Sequence, residues 1–257
     1  VVNVSIICIT KNEEANISDC LRSVQWAQEF VVVDSGSTDS TVSLARGFTD
    51  KVFERPWDGY GEAKNFALSQ CTGEWVFWID ADERVSLELA KEIESALSRP
   101  LDRVAGFSTP RKAFFLGKWI KHCGWYPGRV TRLFRRRAAS FTIDRVHEQL
   151  LLDGSIENLD SDLLHYTDPN LFHYFRKLNK YTSLAAQDLE SRGKRFSVFQ
   201  LVGKPLWTFV RMFIVKRGFL DGIHGFVLSA LSACYVFAKY AKLWEKNNLG
   251  IKEWSVE

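Results

Sequence analysis

The chain of 257 residues is 46% hydrophobic, enough to bury one large core, or a core with a smaller appendage. Its five cysteines (Cys8, Cys20, Cys71, Cys123 and Cys234) are odd in number and lack C-x-x-C spacing, which excludes a disulfide framework and a zinc knuckle. The net charge of +3 hides an asymmetry: residues 170–257 carry 14 Lys and Arg against 6 Asp and Glu, or +8, while residues 1–169 carry 20 against 25, or −5. An acidic body thus bears a basic, aromatic tail. The tail's apolar content favours an anionic lipid surface over nucleic acid as its partner. No basic and apolar leader opens the sequence, so a cytoplasmic location is expected.

In chain order, the apolar run over residues 4–10 predicts a buried strand. Asn12 is the expected cap of a helix reaching about residue 24, in which Ile17, Cys20, Leu21 and Val24 recur at helical spacing. Residues 29–34 predict a second strand that ends in Asp34-Ser35-Gly36-Ser37-Thr38-Asp39, a turn in which Thr38 or Asp39 can cap a short helix over 41–46. A third strand near 51–54, a helix over 62–69 and a fourth strand over 74–79 follow. The fourth is aromatic and β-branched, as suits a central strand of a covered parallel sheet. Strands alternating with helices in this way give βαβ units and a parallel sheet, a nucleotide-binding type of α/β domain. After a helix over 87–97 the pattern changes to strands of mixed direction over 106–115, 129–135 and 146–152. The loops joining them hold Trp119, Trp125 and Tyr126 and suit sugar binding.

Residues 170–192 predict a helix with Leu171, Phe175, Leu178, Thr182, Ala185 and Leu189 on one face. Two apolar stretches follow, over 198–215 and 223–243. Lys204, Pro205 and Arg211 interrupt the first, and Lys239 cuts the second, so neither meets the ~20 residues of a comfortable span. They read as helices lying in the membrane interface with Trp207, Arg211, Lys216 and Trp244 near the headgroups, or else as a helical cap or a dimer contact.

Asp80 and Asp82 stand one residue apart just beyond the fourth strand, at the sheet edge where ligands gather in open α/β domains. Two such carboxylates repel each other unless a cation or sugar hydroxyls compensate. Mg2+ or Mn2+ bridging a diphosphate is therefore the expected cofactor. The competing reading is a solvated pair capping the helix over 87–97. Asp34, at the end of the second strand, either accepts hydrogen bonds from a base or ribose or only shapes its own turn. Neither G-x-x-x-x-G-K-[ST] nor G-x-G-x-x-G follows the first two strands, which removes the main support for an ATPase or a dehydrogenase.

Four motifs stand in order: Thr10-Lys11-Asn12-Glu13, Val33-Asp34-Ser35-Gly36-Ser37-Thr38-Asp39, Gly61-x-x-Lys64-Asn65 and Asp80-Ala81-Asp82-Glu83. In order, spacing and strand context they resemble the glycosyltransferase family 2 pattern on the GT-A fold. The resemblance implies that Thr10 and Glu13 line a nucleoside pocket, that Asp34 contacts the uracil or its ribose, and that Lys64 lies near the base or phosphates. It also implies that Asp80-Ala81-Asp82 holds ribose and metal, with Asp82 the ligand and Asp80 the ribose or a water-mediated contact. Lys64 replaces an arginine common at its position, keeping the charge and losing the planar fork. The Gln-x-x-Arg-Trp motif of processive members is absent, which favours addition of a single sugar.

The later segment, from Trp125 through Arg132-Leu133-Phe134-Arg135 to Val146-His147-Glu148 and Leu164-His165-Tyr166, resembles the bacterial lipopolysaccharide core β-1,4-glucosyltransferase subgroup. Glu148 matches the family's catalytic base, its alternative being a salt-bridged strand residue. His165 is favoured as a further metal ligand and His147 as a neighbouring residue, because successive strand residues point to opposite faces. Arg129 and Arg132 suit an acidic acceptor or the diphosphate, or a solvated basic strand, and Trp125 suits stacking on sugar.

The expectation is a GT-A-type α/β catalytic domain over 1–169 with a nucleotide-binding half (1–100) and an acceptor half (101–169). A basic helical tail over 170–257 associates with the membrane. The enzyme would be inverting and metal-dependent, moving one sugar, glucose by preference, from a UDP-sugar to a glycolipid acceptor at the cytoplasmic membrane face. The rival readings are a nucleotidyltransferase, for which Lys11 alone is a thin pyrophosphate clamp, and a non-enzymatic lipid- or nucleic-acid-binding module.

Overall fold

The computed structural model describes residues 3–143 and 149–249. The chain divides into two compact units, one of residues 1–112 with 128–165 and the other of residues 113–127 with 166–257.

The first unit opens with β1 (Val4–Thr10), α1 (Ile17–Ser23), β2 (Glu29–Asp34), α2 (Thr41–Arg46), β3 (Val52–Glu54), α3 (Tyr60–Gln70) and β4 (Trp75–Asp80). A short β5 (Glu83–Val85) and α4 (Leu87–Leu97) follow. The chain then becomes strand-rich: β6 (Val104–Phe115), β7 (Lys118–Trp119), β8 (Gly128–Arg135), β9 (Ala139–Phe141), β10 (Leu150–Leu152), β11 (Ser155–Asn158) and β12 (Leu163–Asp168). The main sheet runs β3-β2-β1-β4-β8-β6-β12-β5, with β7 and β11 attached to β6. Its first four members pair in parallel, and β4–β8, β8–β6 and β12–β5 pair antiparallel. This is the mixed α/β sheet with flanking helices expected from the change of pattern after residue 100.

Side chains alternate along β4 and supply both cores. Trp75, Phe77 and Ile79 pack with Ile6, Ile17, Leu21, Leu89 and Ile93 on one face, and Val76 and Trp78 pack with Ile7, Val31, Val33, Ala67 and Phe134 on the other. Both faces are covered, so β4 tolerates no polar residue until it reaches its end.

One cap differs from expectation. α1 begins at Ile17, not near residue 12, because Asn12 adopts φ 55 and turns its side chain across to the neighbouring loop. Its Oδ1 accepts from Thr38 N (2.8 Å) and its own N–H donates to Ser37 Oγ (2.7 Å). Asp39 does serve α2, accepting from Thr41 N at 3.0 Å.

In the second unit, α5 (Leu171–Ser191) is capped by Asn170, whose Oδ1 accepts from His173 N at 2.8 Å. α6 (Val198–Val210) tolerates Pro205 and passes into a π-helical turn over Arg211–Val215, and α7 runs over Ile223–Leu249. α7 continues past residue 243, where the apolar stretch ends, and is tied to α5 through a lysine. Lys242 Nζ donates to Asn179 Oδ1 and Ser183 Oγ, both at 2.8 Å. By length and composition alone, the 18 residues over Val198–Val215, the bounds read from sequence, and the 27 of α7 are long and apolar enough to cross a membrane.

Candidate active site

β4 delivers Asp80 to the end of the sheet, and the turn that follows is shaped by Glu83. This carboxylate is fully buried; its Oε2 accepts from Asp80 N (3.1 Å) and its Oε1 from Arg132 (2.7 Å). Arg132, on β8, is itself 3% exposed and donates through the same nitrogen to Asp80 Oδ2 at 2.5 Å. The register explains the meeting. Val76 stands opposite Phe134 and Phe77 opposite Leu133, so the next step aligns Trp78 with Arg132 on the face that Asp80 shares. The Arg132 guanidinium carbon lies 4.0 Å, and Lys64 Nζ 3.5 Å, from the centre of the Trp78 ring.

Burial works against the charge of Asp80, yet Arg132, with Lys64 and His165 beyond it, holds that carboxyl below the ordinary range. Glu83 moves the other way. Burial and the neighbouring Asp80 raise it, and Arg132 offsets only part of the rise. Two carboxylates that share one guanidinium are thus pushed apart, leaving Asp80 the readily ionised member.

Asp82 takes no part in this network; its side chain is 20% exposed, against 42% for that of Asp80. β12 pairs with β5 so that His165 stands opposite Glu83, and His165 Nε2 lies 3.3 Å from Asp82 Oδ2. His165 Nδ1 is buried and has no hydrogen-bond partner among the described residues. No group of three His, Cys, Asp or Glu converges there among the described residues. A carboxylate and an imidazole fit a divalent cation that draws its remaining ligands from phosphate oxygens and water. The helix-capping alternative for the two aspartates does not hold, because Ser86 caps α4 by accepting from Leu89 N at 3.1 Å.

The other candidates fall as follows. Thr10 pairs with Asp34 in the β1–β2 register, and its buried Oγ1 has no hydrogen-bond partner among the described residues. Asp34 is 1% exposed and spends its carboxylate on its own turn, accepting from Gly36 N (2.9 Å), Ser37 N (2.7 Å) and Ser37 Oγ (2.5 Å). Glu13 accepts from Asn16 Nδ2 (2.8 Å), and its N–H donates to Thr41 Oγ1 (2.7 Å), which ties the first loop to α2. Lys64, on α3, is 2% exposed, and the carbonyl of Ala81 accepts from Arg84 (2.8 Å). Arg129 donates to the carbonyls of Leu159 (2.8 Å) and Ser108 (3.3 Å). Trp125 belongs to the second unit and meets Phe115 edge-on at 6.3 Å. His147 and Glu148 lie outside the described residues.

Arg132 adds what the sequence reading did not offer, since its guanidinium is engaged by the buried Glu83 and the partly exposed Asp80. Glu83 and Trp78 were not singled out beforehand. The signal for both is local: Trp78 is two residues before Asp80 in a strand, hence on its face, and Glu83 closes the acidic motif ahead of the apolar Val85.

Comparison with known proteins decides the family. The model of glycosyl transferase family 2 matches residues 5–155. The chain belongs to glycosyltransferase family 2. This family 2 chain is 34% identical to an uncharacterized glycosyltransferase of Rickettsia typhi over 98% of the chain and 89% of that protein. It is 32% identical to the lipopolysaccharide core biosynthesis glycosyltransferase LpsC of Rhizobium meliloti over 95% of the chain and 92% of the relative. A similar solved structure is the mannosyltransferase PcManGT from Pyrobaculum calidifontis in complex with GDP-Man and Mn2+. Its TM-score is 0.54 at 16% identity, over 95% of this chain and 88% of that one. That likeness concerns the GT-A-like fold of this family 2 glycosyltransferase.

Proposed function

We propose that the protein is an inverting, metal-dependent glycosyltransferase that moves one glucose from UDP-glucose to a lipopolysaccharide-core glycolipid at the cytoplasmic face of the membrane. The observation that carries the metal assignment is the partly exposed Asp82 carboxylate beside His165 Nε2, at the end of a sheet that also presents Asp80. The acceptor class follows the relationship to LpsC. Membrane association draws support from the basic tail and from the exposed Phe199, Val202, Leu206 and Trp207 of α6.

In this reading Asp80 stays ionised through its bond to Arg132 and accepts from the donor ribose directly or through water. Thr10 and Glu13 line the nucleoside, and Asp34 holds the turn that meets the uridine. Lys64 contributes positive charge beside the base or phosphates. A cation, Mg2+ or Mn2+, held by Asp82 and His165 supplies charge stabilisation for the departing nucleoside diphosphate. Glu148 takes the proton of the acceptor hydroxyl as its oxygen bonds to the anomeric carbon and the bond to the diphosphate breaks on the opposite side. Trp125, Arg129 and His147 serve the acceptor.

The experiment is transfer by the purified full chain, in vesicles, from UDP-glucose, UDP-galactose and GDP-mannose with Mn2+ to a truncated lipopolysaccharide. UDP-glucose is the expected donor, and Asp82→Asn and Glu148→Gln are expected to abolish transfer while circular dichroism is unchanged. Full activity in either variant removes that residue from the mechanism, and preference for GDP-mannose overturns the donor.

A further inference from the structure

We propose that the second unit carries its own binding pocket for one neutral sugar ring, built on Asp168 and Lys177 and walled by three tyrosines. α5 presents Tyr174, Lys177 and Tyr181 at i, i+3 and i+7, hence on one face. Tyr235 of α7 and the end of β12 complete a half-open cleft of about 160 Å3. Asp168 is 6% exposed, yet its Oδ1 has no hydrogen-bond partner among the described residues. His173 Nδ1 lies 3.4 Å and Lys177 Nζ 3.8 Å from it without bonding to it, and the lysine offsets its charge. A buried acceptor left in this state is costly, and a donor from a ligand removes the cost.

The chemistry selects the ligand. Because the charges of Asp168 and Lys177 offset each other, a further ion gains little there. A pair of sugar hydroxyls can both donate to Asp168 Oδ1 and accept from Lys177 Nζ. The tyrosine rings offer apolar surface to the C–H face of a pyranose and hydroxyls to its rim. Burial, with the charge of Asp168 next, pushes the Tyr174 phenol up to about 12, so it remains a neutral donor at neutral pH. The cleft is smaller than the ~300 Å3 at which pockets for drug-sized ligands begin, and suits a single ring.

This proposal rests on the reading of the protein as a transferase with a saccharide-bearing acceptor, and the pocket would hold a sugar of that acceptor other than the one glycosylated. Its test needs no turnover. Saturation-transfer difference NMR of the full chain with methyl glucoside, methyl galactoside and methyl mannoside is expected to show transfer to at least one. Asp168→Asn, which keeps the shape, and Tyr181→Ala are each expected to weaken that binding about tenfold, the effect of one lost hydrogen bond to a charged group, with circular dichroism unchanged. Absence of transfer to all three glycosides, or wild-type binding by both variants, overturns the pocket. Glycoside binding that the variants weaken, in a chain that transfers no sugar from any donor, supports the pocket and overturns the transferase reading.

Discussion

Asp82 Oδ2 and His165 Nε2 lie 3.3 Å apart because β12 pairs antiparallel with β5 and sets His165 opposite Glu83. The pair is separate from the ion pairs that Arg132 makes with Asp80 and Glu83, so its atoms can serve a cation while that network holds the turn. His165→Ala and Asp82→Asn should each raise the Mn2+ concentration for half-maximal transfer by tenfold or more, roughly the scale seen when groups supporting a metal site are lost. Manganese titrations of UDP binding by calorimetry check this independently of turnover; unchanged metal affinity in both variants would remove the pair from the site.

Arg132 and Glu83 should behave as a coupled unit. Arg132→Met leaves the fully buried Glu83 without its cation, and a loss of about 3–5 kcal/mol of unfolding free energy is expected in urea. Adding Glu83→Gln should recover part of that loss, because the uncompensated charge is gone. Additive losses in the double variant would show that the two residues act separately.

Close approach of α3 to the segment after β9 depends on Gly61. A Cβ there would lie 2.1 Å from the carbonyl oxygen of Thr142, a backbone atom that cannot rotate away. Gly61→Ala should therefore cost about 1–3 kcal/mol, read as a lower urea midpoint. A midpoint equal to the wild type would mean that the segment yields freely.

Glu29 supplies the pH dependence of stability. Burial opposes its charge, but bonds from Lys51, Ser5 and Thr72 lower its pKa from 4.5 to about 2. A group depressed in the folded state contributes stability that is fully present above its unfolded value and lost as pH falls through the folded value. Glu29→Gln should thus cost about 2 kcal/mol at pH 7, allowing for the solvent exposure of Lys51. The gap from wild type should narrow below pH 4.5 and close toward pH 2, and a gap independent of pH would assign the effect to packing alone.

For the tail, Phe199 is 74% exposed and Val202 60% exposed on one face of α6. Phe199→Asp with Val202→Asp should reduce co-sedimentation with anionic vesicles several-fold. Binding by the wild type should weaken with salt, since the charges of residues 170–257 contribute through screened attraction. Equal sedimentation of wild type and variant would move the lipid contact elsewhere.

Much of the first unit was legible locally. The apolar runs of β1, β2 and β4 identify themselves because a strand covered on both faces admits no polar residue, and the two aspartates mark the point where β4 leaves that cover. Four short motifs with their spacing were enough to point to the family. Asn12 misled because its type suits a helix cap, and only the neighbouring loop, 26 positions away, shows where its oxygen is used. Arg132 read as a surface basic residue because nothing next to it in sequence tells of Asp80 and Glu83. Sequence by itself determined the main strands and helices of the parallel half, since hydrophobic alternation acts within a few positions. Which carboxylate meets a histidine and which meets a guanidinium was decided only by the tertiary structure, because antiparallel pairing across a mixed sheet joins residues that no local period connects.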